Sequence, residues 1–293
     1  MPMSLFLSAL DRRRFLQISV ATTLGLAVES PRAFADAKDD PFGGFTLGVQ
    51  SFTYRKFTIE QTLKHVQDLG LHHIEISRSG HFSKGVTPEQ IAAVLKLCKE
   101  YNVAPLAFGV QHFSKDHDAN TKVFELGKAL GIRMFSADPE PDSFDSLDKL
   151  CDEYKIAIGI HPHGPQGKTL HRWYSADAIL EAVKNHNTII GSCLDTGHLI
   201  RAAQMGKKLD PAEEIRKMGA RNFGVHLKDH DNEKDTDVVF GKGVLDVPGV
   251  LRALRDVRFK GMVSIEYEAS ADEPTADVKA CIEEFKRSVK MLA

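Results

Sequence analysis

The chain has 293 residues, of which 42% are hydrophobic and 27% are charged, and its formal net charge is −2. This composition is typical of a globular protein with a large core, and it argues against a low-complexity chain. The near-neutral charge gives no support for a nucleic-acid partner or for a membrane-surface partner.

The first 37 residues have the layout of a cleaved export signal. A basic cluster at residues 12–14 precedes a mostly apolar stretch at residues 18–28, and small residues follow at 33, 35 and 37. The apolar stretch is too short to span a bilayer comfortably, so we expect no membrane attachment after cleavage.

The segment RRRFLQ resembles the twin-arginine export signal, in which two arginines and a variable residue precede Phe-Leu. Arg12, Arg13, Phe15 and Leu16 match this pattern, whereas Asp11 stands where the signal usually has Ser or Thr. The resemblance implies a periplasmic protein that is exported already folded, often with its cofactor inserted. An amphipathic N-terminal helix is the alternative. We therefore predict a signal peptide over residues 1–37 and one catalytic domain over residues 38–293.

From Phe45 onward, strand-like apolar runs alternate with helical patterns. We predict strands at Thr46–Gln50, His73–Ile76, Ala104–Val110, Met134–Ala137, Ile156–Ile160, Ile189–Leu194, Phe223–Leu227 and Met262–Glu266. We predict helices at Thr58–Gly70, Asn120–Leu130, Phe144–Tyr154, Ala176–Asn185, Pro211–Met218, Pro248–Val257 and Asp277–Leu292, and one more that opens at Thr87 with Pro88 in its first turn.

Eight strands, each followed by a helix, in about 250 residues predict an α/β fold of the (β/α)8 TIM barrel type. A doubly wound open sheet is the rival fold. That fold favours a Gly-rich phosphate-binding turn after the first strand, and the segment GVQSFTYRKFT is not such a turn.

Polar and charged residues gather at the carboxyl ends of the predicted strands, where a TIM barrel carries its chemistry. Strand two ends near Glu75, and strands five to eight end in His161 and His163, Asp195 and His198, His226 and Lys228, and Glu266 and Glu268. Each residue has a simple structural explanation: a core histidine, a helix cap or an ion pair. Together, however, several carboxylates and imidazoles in one pocket would repel and desolvate one another without a cation among them. Imidazole with carboxylate favours Mn, Co, Fe, Ni or Zn.

The motifs LDTGHLIRA, LDPAEEIRKMGARNFGVHLKD, FGKGVLDVPGVLRAL and GMVSIEYE resemble the sugar phosphate isomerase/epimerase family, whose barrel is xylose-isomerase-like. The resemblance covers residues 45–292. It implies one divalent metal ion (Mn, Co, Zn, Ni, Fe or Mg), held by His161, Asp195, His226 and Glu266. The family often has Glu at the position of His161, so one of its two proton-transferring glutamates is missing here. Two-glutamate epimerisation is therefore less expected than single-base isomerisation or elimination.

A divalent ion that chelates a carbonyl and a neighbouring hydroxyl acidifies the proton beside the carbonyl, and a base then removes this proton. The candidate bases are Glu266, His163 and Glu75, with Glu268 a weaker candidate. Lys228 is placed to neutralise a developing oxyanion, unless it is a surface residue paired with Asp229. The candidate substrate-binding residues are His198, Trp173 and Glu268; a helix cap is the alternative for His198, and a packed loop anchor is the alternative for Trp173.

These features predict a metal-dependent isomerase or epimerase that acts on an unphosphorylated keto- or aldo-sugar. A lyase of the same fold, which removes the C2 proton of a 3-keto-glycoside and expels the C1 substituent, is a close alternative. An endonuclease-IV-like phosphodiesterase and a non-catalytic sugar-binding protein are less favoured. The expected partner is a small sugar, no nucleic-acid partner is expected, and homo-oligomerisation is left open.

Overall fold

The computed structural model describes residues 40–82 and 86–292, so the predicted signal peptide lies outside the described residues. Eight parallel strands form the sheet: β1 Thr46–Gln50, β2 His73–Ser77, β3 Ala104–Phe113, β4 Met134–Pro139, β5 Ala157–Ile160, β6 Ile190–Asp195, β7 Asn222–Leu227 and β10 Met262–Ile265. They close into a barrel in the order β1-β10-β7-β6-β5-β4-β3-β2, which confirms the predicted TIM barrel. Two short strands, β8 Asp229–Asp231 and β9 Thr236–Val238, form a separate antiparallel hairpin.

All eight predicted helices are present. The helices are α1 Ile59–Asp68, α2 Arg78–His81, α3 Pro88–Glu100, α4 His117–Leu130, α5 Phe144–Tyr154, α6 Ala176–Val183, α7 Thr196–Arg201, α8 Pro211–Met218, α9 Val247–Asp256 and α10 Thr275–Lys290. Thr87 forms the expected capping box with Gln90, and Pro88 occupies the first turn of α3. Helix α4 begins three residues earlier than predicted, because the Asp116 side chain accepts a hydrogen bond from the backbone N–H of Ala119.

The apolar residues lie in two layers. The main core fills the space between the barrel and its helices, and residues such as Phe124, Phe135 and Leu147 are fully buried there. Burial of each such side chain contributes on the order of 1.5–3 kcal/mol. A smaller cluster fills the barrel interior and contains Ala107, Met134, Cys193 and Met262. Cys193 thus occupies the barrel interior, on the same face of its strand as Asp195.

The two ends of the barrel differ in character. A cavity of about 510 Å³ lies at the amino ends of the strands, and Met134, Phe223 and Met262 contribute to its largely apolar lining. The predicted site residues lie at the other end. Among residues 40–82 and 86–292, none of the helices is both long and apolar enough to cross a membrane.

Candidate metal centre

Asp195 lies at the junction between β6 and α7 and has two distinct roles for its two carboxylate oxygens. One oxygen, Oδ1, accepts a hydrogen bond of 2.7 Å from the backbone N–H of His198 and so caps α7. The other oxygen, Oδ2, is buried and has no hydrogen-bond donor among the described residues. A buried carboxylate oxygen without a donor is costly, so this oxygen is suited to a cation. The cap and the ligand interpretations of Asp195 are therefore compatible.

Four side chains, including that of Asp195, converge at this point, one from the end of each of four barrel strands. His161, Asp195, His226 and Glu266 each offer one nitrogen or oxygen atom, and these atoms lie within 4.8 Å of one another. The Nε2 of His161 is 3.0 Å from the Nδ1 of His226 and 3.6 Å from the Oδ2 of Asp195. The Nδ1 of His226 is 3.1 Å from the Oε2 of Glu266. All four side chains are buried.

The donor set fits a divalent transition metal. Two imidazole nitrogens and two carboxylate oxygens are ligands that such ions accept. Ligand atoms placed tetrahedrally at about 2.1 Å from one ion are about 3.4 Å from one another. Four of the six separations among these atoms, 3.0, 3.1, 3.6 and 3.9 Å, bracket that value, and all six are within 4.8 Å. The sequence-predicted ligands therefore form one candidate metal site.

The electrostatics of the cluster favour positive charge at its centre. Burial raises the pKa of Glu266, but the ammonium of Lys228 and the imidazole of His226 oppose burial and lower this pKa to about 2. For Asp195, burial is again opposed by Lys228, and the pKa is held well below its ordinary value. Both carboxylates are consequently ionised at neutral pH and available to a cation.

Glu75 lies behind His226, on the side away from the cluster. Its Oε2 is 2.9 Å from the Nε2 of His226, so the carboxylate and the Nδ1 that faces the candidate ligand cluster lie on opposite sides of one imidazole ring. The side chains of Gln50 and Ser136 also donate to Glu75, which is fully buried. A carboxylate in this position fixes the orientation of a histidine ligand and increases its basicity. The prediction that Glu75 is a base toward the substrate does not fit this placement, because Glu75 does not line the cavity.

Lys228 is buried among three carboxylates. Its Nζ is 3.4 Å from the Oδ2 of Asp195, 3.1 Å from the Oε2 of Glu266 and 2.5 Å from the Oε1 of Glu268. Although burial lowers the pKa of Lys228, these carboxylates raise it well above its ordinary value, so the side chain is a fixed ammonium. The alternative of a surface lysine paired with Asp229 is wrong.

A cavity of about 280 Å³ opens beside the cluster at the carboxyl ends of the strands. Its lining includes the predicted residues His163, His198 and Glu268 as well as two of the candidate ligands. The full lining is Gln50, Phe52, Ser77, Ser79, Val110, His161, His163, His198, Arg201, Glu266 and Glu268. Phe52 and Arg201 are not among the sequence-predicted site residues, although Arg201 lies within the motif LDTGHLIRA.

His163 and His198, the two cavity histidines outside the candidate ligand set, are both neutral. Burial, followed by the neighbouring imidazoles of His161 and His171, lowers the pKa of His163 to about 3, so His163 is neutral and weakly basic. His198 is held neutral, chiefly by burial. The backbone N–H of Gly164 donates to the Nδ1 of His198 over 3.0 Å. The proton of His198 therefore resides on Nε2, and this side chain is a hydrogen-bond donor rather than a metal ligand.

Trp173 does not line the cavity. Its indole Nε1 donates to the carbonyl oxygen of Pro139 over 3.1 Å, and its ring packs edge-on against Phe144 at 6.1 Å between centroids. The side chain is only 4% exposed, so a sugar cannot stack on it. The prediction of substrate binding by Trp173 is wrong, and the residue is a packed loop anchor.

Comparison with known proteins agrees with this architecture. The family model described as "Xylose isomerase-like TIM barrel" matches residues 63–287, and the chain therefore belongs to this family. It is 20% identical to an inosose isomerase from Bacillus velezensis over 80% of this chain and 94% of that protein. The structure of a D-tagatose 3-epimerase-like protein matches with a TM-score of 0.66 and 18% identity, over 85% of this chain and all of that one. A D-psicose 3-epimerase from Clostridium cellulolyticum matches with a TM-score of 0.65 and 16% identity, over 84% and 99%.

Proposed function

We propose that this protein is a divalent-metal-dependent enzyme of the isomerase/epimerase type, which removes a proton beside the carbonyl of an unphosphorylated sugar. The observation that carries the proposal is the convergence of His161, Asp195, His226 and Glu266 within 4.8 Å at the wall of a cavity. The names of the similar proteins, an inosose isomerase and 3-epimerases of tagatose and psicose type, support a carbohydrate as the substrate.

Glu266 is the residue best placed to take the proton. It is the one carboxylate of the candidate ligand set that lines the cavity, and its low pKa keeps it unprotonated at neutral pH. A bound divalent ion would polarise the substrate carbonyl and acidify the neighbouring C–H, which allows a weakly basic carboxylate to remove the proton. The fixed ammonium of Lys228 lies 3.1 Å from the Glu266 carboxylate and compensates negative charge there.

The position of His161 bears on the type of reaction. A second carboxylate at this position would serve to return a proton on the opposite face of the carbon. The cavity instead offers two neutral imidazoles, His163 and His198, in this region. We therefore favour a reaction with one base over epimerisation with two glutamates.

Elimination from a 3-keto-glycoside is the second candidate, and the single cavity-lining ligand carboxylate favours it. In this reaction Glu266 takes the C2 proton, and the C2–H electron pair forms a double bond to C1. The bond between C1 and its oxygen substituent breaks, and the leaving oxygen takes the electron pair of that bond and a proton from water.

One experiment separates these reactions. The mature protein, loaded with Mn²⁺, is incubated in D₂O with free ketoses and, separately, with 3-keto-glucosides, and the products are followed by NMR. Isomerisation predicts deuterium incorporation with an intact carbon skeleton, whereas elimination predicts release of the C1 substituent. Absence of metal-dependent exchange and of any product with both substrate classes would overturn the proposed function.

A further inference from the structure

Arg201 is the one arginine among the described residues that line the cavity. It is the last residue of α7, and its guanidinium packs against the backbone of Gly164. A Cβ atom built on Gly164 would lie 3.3 Å from both Cζ and Nη1 of Arg201. This glycine therefore provides the space in which the guanidinium approaches the loop that follows β5.

Arg201 lacks a strong partner within the described part of the chain. Its one ion pair there is with Asp235, at 3.8 Å from Nε, and the Asp235 side chain is 62% exposed. Asp235 already accepts from the side chains of Gln204 at 2.7 Å and His230 at 3.2 Å. The buried Nε of Arg201 has no hydrogen-bond acceptor among the described residues. The guanidinium thus retains unused donors beside the cavity.

His198 supplies a second donor next to Arg201. The Gly164 Cβ position that lies 3.3 Å from the guanidinium also lies 3.3 Å from the Nδ1 of His198. Because Gly164 donates to that nitrogen, His198 presents its Nε2–H elsewhere, and Nε2 has no acceptor among residues 40–82 and 86–292. Arg201 and His198 therefore form a group of hydrogen-bond donors with no acceptor of their own.

The cavity lining therefore contains a group of hydrogen-bond donors as well as acidic side chains. The carboxylates of Glu266 and Glu268 also line it, and the candidate metal ligands adjoin them. A sugar hydroxyl has a proton that needs an acceptor, so a hydroxyl only partly satisfies a group made of donors. A carboxylate accepts only, and the planar guanidinium of arginine can bind both of its oxygens.

We infer that Arg201, assisted by His198, forms a subsite for the carboxylate of a sugar acid. This subsite selects uronates or keto-sugar acids over neutral sugars. This inference rests on the proposed function, since the carbonyl end of the same sugar would face Glu266. Arg201 would thus determine which class of sugar binds, without taking part in proton transfer.

The test is a binding measurement that compares sugars differing only at C6. Isothermal titration calorimetry on the Mn²⁺-loaded protein uses three matched pairs at one ionic strength: glucose and glucuronate, galactose and galacturonate, and mannose and mannuronate. For at least one pair, we expect the uronate to bind at least about 10-fold more tightly, the scale of a charge-assisted bidentate contact. Arg201→Gln should abolish this preference and leave the affinity for the neutral sugar within about twofold.

Two further variants and one further ligand make the result specific. Arg201→Lys keeps the positive charge but lacks the planar guanidinium that binds both carboxylate oxygens, and it should retain only part of the preference for the uronate. Arg216→Gln changes an arginine on the outer helix α8, paired there with Glu213 and Asp256, and should retain all of it. Glucose 6-phosphate should bind more weakly than glucuronate.

The outcomes separate the subsite from the proposed function. Equal affinity within every pair, or a uronate preference that persists in Arg201→Gln, would overturn the carboxylate subsite. Neither result would contradict the proposed sugar isomerase or lyase activity. Tighter binding of glucose 6-phosphate that depends on Arg201 would replace the carboxylate with a phosphate and also overturn it. Failure of all six sugars to bind would contradict the subsite and the sugar specificity together.

Discussion

The carboxylate of Asp195 illustrates how one residue can serve both the fold and the site. Its Oδ1 caps α7, and its Oδ2 points without a donor into the cluster. Sequence reasoning placed the residue correctly at a strand end but could not assign its two oxygens, because that assignment depends on the backbone of the following turn.

Asp195→Asn tests the division of roles. Asn is as good a helix cap as Asp, so the metal-free variant should unfold within about 1 kcal/mol of the wild type. The neutral amide is a poor replacement for a carboxylate ligand, and we expect metal affinity to fall by at least about 100-fold, beyond the loss typical of outer-shell changes. Calorimetric titration with Mn²⁺ measures the affinity.

The matched control is Asp210→Asn, since Asp210 caps α8 in the same manner, through Ala212, on the outer ring of helices. This variant should bind the metal like the wild type. Unchanged metal affinity in Asp195→Asn would remove Asp195 from the ligand set.

Glu266→Gln tests proton abstraction. The amide is nearly isosteric and cannot accept a proton near neutral pH, so turnover should fall at least about 100-fold, the lower end for a general base. Exchange of the α-proton of the substrate with D₂O, followed by NMR, should fall in parallel. The metal content of the Glu266→Gln preparation used in the assay must equal that of the wild-type protein.

Glu268→Gln is the comparison, because Glu268 lines the same cavity and contacts the same Lys228 but is not among the candidate ligands. We expect a smaller effect from it. If the metal-loaded Glu266→Gln variant exchanges the proton at the wild-type rate, the base is a different residue, and His163 is the next to change.

At the scale of elements, the barrel was predictable because apolar runs buried on both faces alternate with one-sided helices. The predicted strands were correct in number and nearly so in extent. Strand β3 continues to Phe113, beyond the predicted end at Val110, because residues 111–113 pair with β4. Helices α2 and α7, of four and six residues, carry too few turns to show a helical period, and they were missed.

In the candidate site, too, some features were predictable from the sequence and others were not. The convergence of His161, Asp195, His226 and Glu266 was predictable because the strand ends of a barrel share one face. Glu75 and Trp173 have the right chemistry and also lie near strand ends or loops, yet packing places them away from the cavity. The direction in which such a side chain points depends on neighbours that are distant in sequence.

Asp229 organises the segment that contains the β8–β9 hairpin and the GKG turn. Its fully buried carboxylate accepts from the backbone N–H groups of Gly241, Gly243 and Leu245 at 2.9 to 3.0 Å, and from that of His230 at 2.8 Å. Asp229→Ala leaves these donors unpaired, and we expect a loss of about 3 kcal/mol or more in the free energy of unfolding.

Urea unfolding measures this loss. Asp231→Ala, two residues further along the same strand, removes only contacts on the exposed side and should cost less than about 1 kcal/mol. Equal losses in the two variants would show that Asp229 is not the organising residue.

At the scale of the whole molecule, closure of the barrel brings together residues that are more than 100 positions apart in sequence, such as His161 and Glu266. The described barrel begins after the segment that we expect to direct export. We propose that the protein acts in the periplasm and receives its metal before transport.

Replacement of Arg12 and Arg13 by Lys tests this proposal. Lys lacks the planar guanidinium fork, and the variant should remain in the cytoplasm, as measured by fractionation and immunoblotting. A control with Arg32→Lys, outside the twin-arginine motif, should be exported. Normal export of the double variant would show that the signal has been misidentified.

The central claim is a single divalent ion held at the carboxyl end of the barrel. Anomalous X-ray diffraction from crystals of the Mn²⁺-loaded protein tests it most directly. We expect one peak, with the Nε2 of His161, the Oδ2 of Asp195, the Nδ1 of His226 and the Oε2 of Glu266 at about 2.0–2.3 Å from the ion. A peak elsewhere, or four side chains more than about 6 Å from any common point, would contradict the account, because no direct coordination is possible at that distance.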